Sequence, residues 1–256
     1  MDKQAVRDAV WDAFDEGDQA RFPFPPHDRI PNFAGADAAA DRLTATAAWR
    51  SAATLKANPD APQLPVRRAA LRAGKTVYVA QPRLRDPDPF LRLDPTEIPP
   101  DEIDDATTVS GISEYGTPTA PEDHPHVDLI VAGSVGVATD GARIGKGEGY
   151  SDLEWAVLRE LDAVDSDTTV ATTVHELSVL DGPESAVGGD VSAADGPTVL
   201  PKPDAHDVPL DVVVTPERTI RTETPHGRPD GVDWDALDEE KLDAIPVLAE
   251  RAPEAN

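Results

Sequence analysis

Arg143 and Lys146 interleave with glycines at 145, 147 and 149 in the run Gly141-Ala-Arg-Ile-Gly-Lys-Gly-Glu-Gly-Tyr-Ser-Asp152. The apolar stretch Val127-Asp-Leu-Ile-Val-Ala-Gly133 precedes this run, and a helical pattern, Leu153 to Leu161, follows it. A glycine loop between a strand and a helix N-terminus suits an anion. Glycine lets the backbone approach closely, its N–H groups turn toward the charge, and the helix dipole lies behind them. The two cations add charge-assisted hydrogen bonds. The run is not a P-loop, because Gly147 rather than Ser or Thr follows Lys146, and its glycine spacing is not that of a dinucleotide fingerprint. The spacing alone leaves two readings open, a phosphate cradle and a tight strand-to-helix turn with solvated charges. Ser151 and Glu154 also have the spacing of a capping box, and Asp152 stands where it would favour the helix dipole.

The elements that must position this loop follow from periodicity. Residues 2–15 read as an amphipathic helix with Val6, Val10, Ala13 and Phe14 on its apolar side, and Lys3 and Arg7 share a face four residues apart. Residues 21–33 are proline-rich and extended, and 35–50 reads as a second helix. Strands are expected at Ala53–Lys56, Thr76–Ala80, 127–133, Thr168–Val174, Val208–Thr215 and Thr219–Arg221, with a weak one around Thr107–Ile112. Helices are expected at Gln63–Arg72, closed by Gly74, and at 151–161. Alternation of this kind predicts an α/β fold with a mostly parallel sheet and helices on both faces, and ligands bind beyond the carboxyl ends of such strands. Residues 1–222 form the expected domain, interrupted by a flexible insertion at about 181–203 rich in Gly, Pro, Ser, Ala and Asp. Residues 223–256 read as an acidic, partly disordered tail with a marginal helix from Trp234 to Ile245, stopped by Pro246.

With 49 acidic and 23 basic side chains, the 256-residue chain carries a formal charge of −26. Such a field repels polyanions, so neither nucleic acid nor an anionic membrane is an expected partner. Frequent apolar runs and scarce lysine favour a folded protein of a salt-rich cytosol over a disordered one. There is no cysteine, hence no disulfide or thiolate chemistry, and neither a signal peptide nor an apolar run of spanning length is read. A cytoplasmic monomer is the expected state. Of the six histidines, His27, His124 and His126 are expected in solvent, His226 starts the tail, and His175 is within possible reach of the site from a strand end. No helix has the spacing of a zinc site.

Four segments together resemble the 5-formyltetrahydrofolate cyclo-ligase (methenyltetrahydrofolate synthetase) family. They are Lys3-x-x-x-Arg7; Gly74-Lys-Thr-Val-Tyr-Val-Ala-Gln-Pro-Arg83; the 141–152 run, similar to G-x-R-L-G-x-G-x-G-Y-Y-D; and His206-Asp-Val-Pro-Leu-Asp-Val-Val-Val-Thr215, similar to H-D-x-x-x-D-x-x-x-T. Arg29–Asp37 and Lys56–Arg67 look closer still to the methenyltetrahydrofolate synthetase domain-containing branch, without the RNA-recognition module of its animal members. The resemblance implies a three-layer α/β sandwich like that of the sugar-isomerase and CoA-transferase group. It also implies conversion of 5-formyltetrahydrofolate to 5,10-methenyltetrahydrofolate with ATP and Mg²⁺. In that reaction the formyl oxygen is phosphorylated, and a neighbouring amine attacks and expels phosphate. By resemblance, Lys3, Arg7, Arg143, Lys146 and the amides of Gly145, Gly147 and Gly149 hold ATP phosphates. Arg143, Lys146 and Tyr150 serve catalysis, Asp152 holds the metal, and Gln63, Tyr150 and His206 meet the folate substrate. The chain departs from the family at Gln63, where a glutamate is usual, at Ser151 and Leu153, which replace Tyr and Arg, and at Ser178 in place of glutamine. These departures keep two alternatives open: a same-fold enzyme acting on another small substrate, and a nucleotide-binding protein without turnover.

Overall fold

The computed structural model describes residues 2–180, 199–235, 237 and 239–253. Helix α1 (Lys3–Glu16) begins where the Asp2 carboxylate accepts the Gln4 amide, and it buries Val6, Val10, Trp11 and Phe14. Trp11 therefore takes the inward position that the pattern gives to Ala13. A short hairpin, β1 (Ala20–Arg21) with β2 (Asn32–Phe33), spans the proline-rich stretch. The helix expected over 35–50 is two, α2 (Ala36–Thr44) and α3 (Ala47–Ser51). Thr46 is extended between them and caps α3 by accepting the Trp49 amide. Strand β3 (Thr54–Ala57), helix α4 (Leu64–Arg72) and strand β4 (Thr76–Ala80) follow at the places predicted.

The loop-rich region holds more regular structure than its prolines suggest: β5 (Phe90–Leu93), α5 (Ile103–Ala106), α6 (Val109–Tyr115) and β6 (Thr117–Thr119). The weak strand expected at Thr107–Ile112 is helical instead. Thr108 accepts the Gly111 amide at 3.0 Å and starts α6, so a local cap overrides the β-branched composition. Then come β7 (Leu129–Val131), β8 (Gly136–Ala138), β9 (Arg143–Ile144), α7 (Tyr150–Glu160), β10 (Thr169–Thr173), β11 (Val179–Leu180), β12 (Val212–Val214) and β13 (Thr219–Arg221). Two short helices, α8 (Glu239–Ala244) and α9 (Pro246–Ala249), follow.

Eight strands form the main sheet in the order β13-β12-β10-β7-β3-β4-β5-β6. The five from β12 to β4 are parallel, and β13, β5 and β6 join antiparallel at the two edges. Period-two alternation divides the core. Leu55, Val77, Val79, Leu129, Val131 and Ala171 face α1 to α6, while Tyr78, Ile130, Val170 and Val213 face α7 and α9. The result is a three-layer α/β sandwich. A separate three-stranded sheet, β11-β8-β9, carries the chain back over the carboxyl end of β7.

Helix α7 is buried at every position from Glu154 to Leu158, which needs walls on two sides. The sheet is one wall. The other is the C-terminal segment: Trp155 Nε1 donates to Pro229 O at 2.9 Å, Val232 N donates to Glu160 at 3.1 Å, and Ile245, Val247 and Leu248 are buried in the same cluster. That part of the expected tail is thus packed, and its helical residues divide into α8 and α9 at Pro246. The expected insertion lies mostly outside the described residues; beyond them Leu200 is buried with Val6, Ala138 and Ile144. No helix among the described residues is long and apolar enough to cross a membrane.

Candidate functional site

Beyond the carboxyl ends of β3, β4 and β7 lies a cavity of about 600 Å³. One wall is the 143–152 loop. Gly147 at φ +109° and Gly149 at φ +75° turn the chain there through left-handed conformations, and Gly149 is the N-cap of α7 without any side-chain cap. The capping box read at Ser151 and Glu154 is therefore not formed. Ser151 lies inside the helix, and Glu154 is buried in an ion pair with Lys56. The amides of the first turn of α7 are left for another acceptor.

Lys3, Arg7, Arg143 and Lys146 all line this cavity, and Arg83 joins them from the turn after β4. Arg7 Nε donates to Gly145 O at 2.8 Å, which ties α1 to the glycine loop. Lys3 Nζ lies 2.8 Å from Asp204 and 2.6 Å from Asp207. Partial burial disfavours its charge, yet those two carboxylates hold its pKa above the ordinary lysine value. Arg143 is buried; it donates to Gly133 O at 3.0 Å and to Asp152, while its Nε has no partner among the described residues. Asp152 Oδ1 also accepts the Val208 amide at 3.0 Å. Lys146 pairs with Glu148 at 2.7 Å.

Tyr150 and His206 line the cavity as well; the His206 ring is mostly exposed, 3.9 Å from Asp207. Gln63 does not. The 3₁₀ turn Ala61–Gln63 directs it into the core, fully buried, where its Nε2 approaches Thr173 O at 3.5 Å. Asn58, Pro59 and Asp60 are the residues that reach the cavity from this segment. His175 also stays away, packed 5.8 Å from the Phe14 ring and 6.1 Å from that of Phe33. His124 is not in solvent either; it is sandwiched 4.4 Å from Tyr78 and 4.9 Å from Phe90, and burial holds its pKa below the usual histidine value.

Under the cavity lies a buried polar layer that the linear sequence does not advertise. Lys56 pairs with Glu154 and donates to Asn58 Oδ1 at 3.2 Å, and that oxygen also accepts the Gly133 amide at 3.3 Å. Arg67 donates to Asn58 O at 2.5 Å, Asp60 O at 3.1 Å and Thr107 O at 3.0 Å. Burial pulls its pKa down to about 10, still charged at neutral pH. The opposite wall is apolar, with Val79, Leu91, Val109 and Ile112. The only sequence signal for this layer is cation placement, with Lys56 on a strand and Arg67 on the inward face of α4.

Fold and site together define an α/β sandwich protein with a charged, glycine-walled cleft beyond the carboxyl ends of its parallel strands. A solved structure with this fold is that of Aquifex aeolicus 5,10-methenyltetrahydrofolate synthetase, at a TM-score of 0.50 and 17% identity over 93% of this chain and 100% of the other. The sequence model of the 5-formyltetrahydrofolate cyclo-ligase family matches residues 11–183, and the chain belongs to that family. It is 38% identical to the methenyltetrahydrofolate synthase domain-containing protein of Bos taurus and 39% identical to that of Mus musculus, over 252 residues in each case. The human protein of that description is 34% identical. These alignments cover 97% of this chain, which spans about three-fifths of the length of each relative.

Proposed function

We propose that the chain converts 5-formyltetrahydrofolate to 5,10-methenyltetrahydrofolate with ATP and Mg²⁺. The observation that carries this reading is the convergence of Lys3, Arg7, Arg83, Arg143 and Lys146 on one glycine loop, in a chain where acids outnumber bases by 49 to 23. The residues present fit a polyphosphate. Arg143 holds a buried, unpartnered Nε; the amides at the α7 N-terminus have no side-chain cap; and a Cβ on Gly147 would meet the Arg7 guanidinium at 3.4 Å. For the metal, Asp152 offers a carboxylate whose Oδ1 is already shared by Arg143 and Val208, so Mg²⁺ would be held by its other oxygen or through water.

In this reading ATP supplies the phosphoryl group that makes the formyl oxygen a leaving group. The chain's own work is positioning and charge compensation. Lys146 exchanges Glu148 for phosphate, Arg7 keeps the loop's curvature, and Arg143 orients Asp152. Tyr150 lines the path between phosphate and folate, the apolar wall at Val79, Leu91 and Ile112 takes a flat ring, and His206 stands at the rim. The test mixes the protein with 5-formyltetrahydrofolate and ATP–Mg²⁺ in molar KCl and follows the absorbance of the methenyl product. Product that depends on both ATP and protein is the expected result. A second reading, nucleotide binding without this turnover, is favoured by the withdrawal of Gln63 from the cavity; ATP binding without product would establish it. Turnover of a different formylated or carboxylated compound would move the assignment to another substrate.

A further inference from the structure

The segment Lys56–Arg67 shapes the cavity floor, yet the reading above gives its acidic residue no task. Five acids line the cavity, and four are engaged: Glu148 by Lys146, Asp152 by Arg143, Glu154 by Lys56, and Asp207 by Lys3. Asp60 is the exception among the described residues. No hydrogen bond or ion pair reaches its carboxylate, although hydrogen bonds fix its backbone. Its carbonyl accepts from Arg67 and from the Gln63 amide at 3.2 Å, and the preceding turn is fixed through Asn58 to Lys56 and Gly133. The carboxylate also lies against the backbone at the end of β7: a Cβ on Gly133 would stand 3.0 Å from Asp60 Oδ2. A rigidly mounted, unpaired carboxylate facing a phosphate-side loop has the geometry of a proton-transfer group.

We propose that Asp60 is the general base of this cavity, taking the proton that the substrate's amine gives up as it closes the ring. The proposal rests on the ligase reading above. In the step, the amine nitrogen forms its bond to the formyl carbon, whose oxygen carries the phosphoryl group, and its N–H proton passes to Asp60. The carbon–oxygen bond then breaks, and its electron pair leaves with inorganic phosphate. Asp60 returns its proton to water. The groups that face Asp60 set its strength. Burial raises its pKa above the usual aspartate value and Glu154 on α7 pushes the same way, while Lys146 on the loop, Arg67 on α4 and Lys56 on β3 pull it down. A base must be ionised to act, so the acid limb of kcat/KM lies above the ordinary carboxylate range and the rate falls as pH drops through it.

The experiment compares wild type with Asp60→Asn and Asp60→Glu, reading methenyl formation against pH and, separately, ATP–Mg²⁺ affinity by titration. For Asp60→Asn the expected result is a loss of about 10²- to 10⁴-fold in kcat with ATP affinity held within about twofold, and disappearance of the acid limb. Asp60→Glu keeps a carboxylate and recovers part of the rate with a limb still present. Lys146→Ala at saturating ATP moves the wild-type limb to higher pH. Unchanged turnover and an unchanged limb in Asp60→Asn overturn the proposal alone. Loss of ATP–Mg²⁺ binding in that variant also overturns it, since Asp60 would then be a nucleotide or metal group. Wild type that forms no product overturns the ligase reading and this step with it.

Discussion

Two Lys–Glu pairs stand on opposite sides of the cavity wall. Lys146–Glu148 lies on the loop, 2.7 Å apart, with side chains 39% and 42% exposed. Lys56–Glu154 lies beneath it, with side chains 1% and 8% exposed. The chemistry is the same and the consequence opposite. An exposed pair contributes about 0–1 kcal/mol, so its lysine can leave one anion for another at small cost. A buried pair cannot be parted, because either charge left alone in the interior is penalised by desolvation. In the proposed reaction the loop pair is a place-holder for a ligand, while the floor pair joins the loop's helix to the strand that leads into the Asn58–Asp60 turn.

That contrast can be broken, most severely at the floor. Lys56→Met or Glu154→Gln alone should cost about 3–5 kcal/mol in urea or thermal unfolding, and the double variant Lys56→Met with Glu154→Leu should recover most of it. Equal losses in single and double variants would mean the pair is not a unit. On the loop, Lys146→Ala should weaken ATP binding by roughly ten- to more than a hundred-fold, about 1.5–3 kcal/mol, while stability changes by less than about 0.5 kcal/mol. Titration of a variant that melts like wild type makes that measurement; full ATP affinity would reduce the loop to a turn. Gly147→Val attacks the same loop through its backbone. With φ at +109° a β-branched residue is strained by about 1–2 kcal/mol, and its Cβ would already touch the Arg7 guanidinium at 3.4 Å. ATP affinity should fall with both cations intact.

The smallest effect sharpens the contrast from a third position. Asp60 is half-buried without a partner for its carboxylate, and desolvation, with Glu154, raises its pKa in the folded protein. Its ionised form therefore costs folding free energy at any pH above that raised value, and the cost fades as pH falls toward the unfolded aspartate value. Asp60→Asn should thus melt higher than wild type at pH 8, and the two should converge near pH 4. A variant that melts lower at pH 8 would mean the carboxylate has a stabilising partner.

The glycine loop was legible in the sequence because its chemistry is local: small residues where the backbone must turn and cations between them. The strands β3, β4, β7, β10 and β12 were legible for the same reason, through apolar runs closed by turns. The floor was not. Lys56 and Glu154 are 98 residues apart, and Glu154 read as half of a capping box because the spacing to Ser151 is right and burial does not appear in a spacing. Gln63 departs from the expectation because the turn at Ala61–Gln63 directs it inward, while Asp60, which carried no expectation, lines the cavity. His124 read as exposed from its prolines, although the rings that enclose it come from β4 and β5. The acidic C-terminal stretch read as free because its inward residues, Val232, Ile245, Val247 and Leu248, have meaning only against α7.

The strand order has a consequence for how the molecule is made. From β3 and β4 the sheet extends one way through β7, β10 and β12 and the other way through β5 and β6, so every newly synthesised strand adds to an open edge and none must be inserted between two already paired. Helix α1 is the exception to this outward growth. It precedes every strand in the sequence, yet its Arg7 anchors on Gly145 and its Lys3 on Asp207, which follow 138 and 204 residues later. The cleft is thus closed by a helix made well before the residues it anchors on, and only once both have been synthesised.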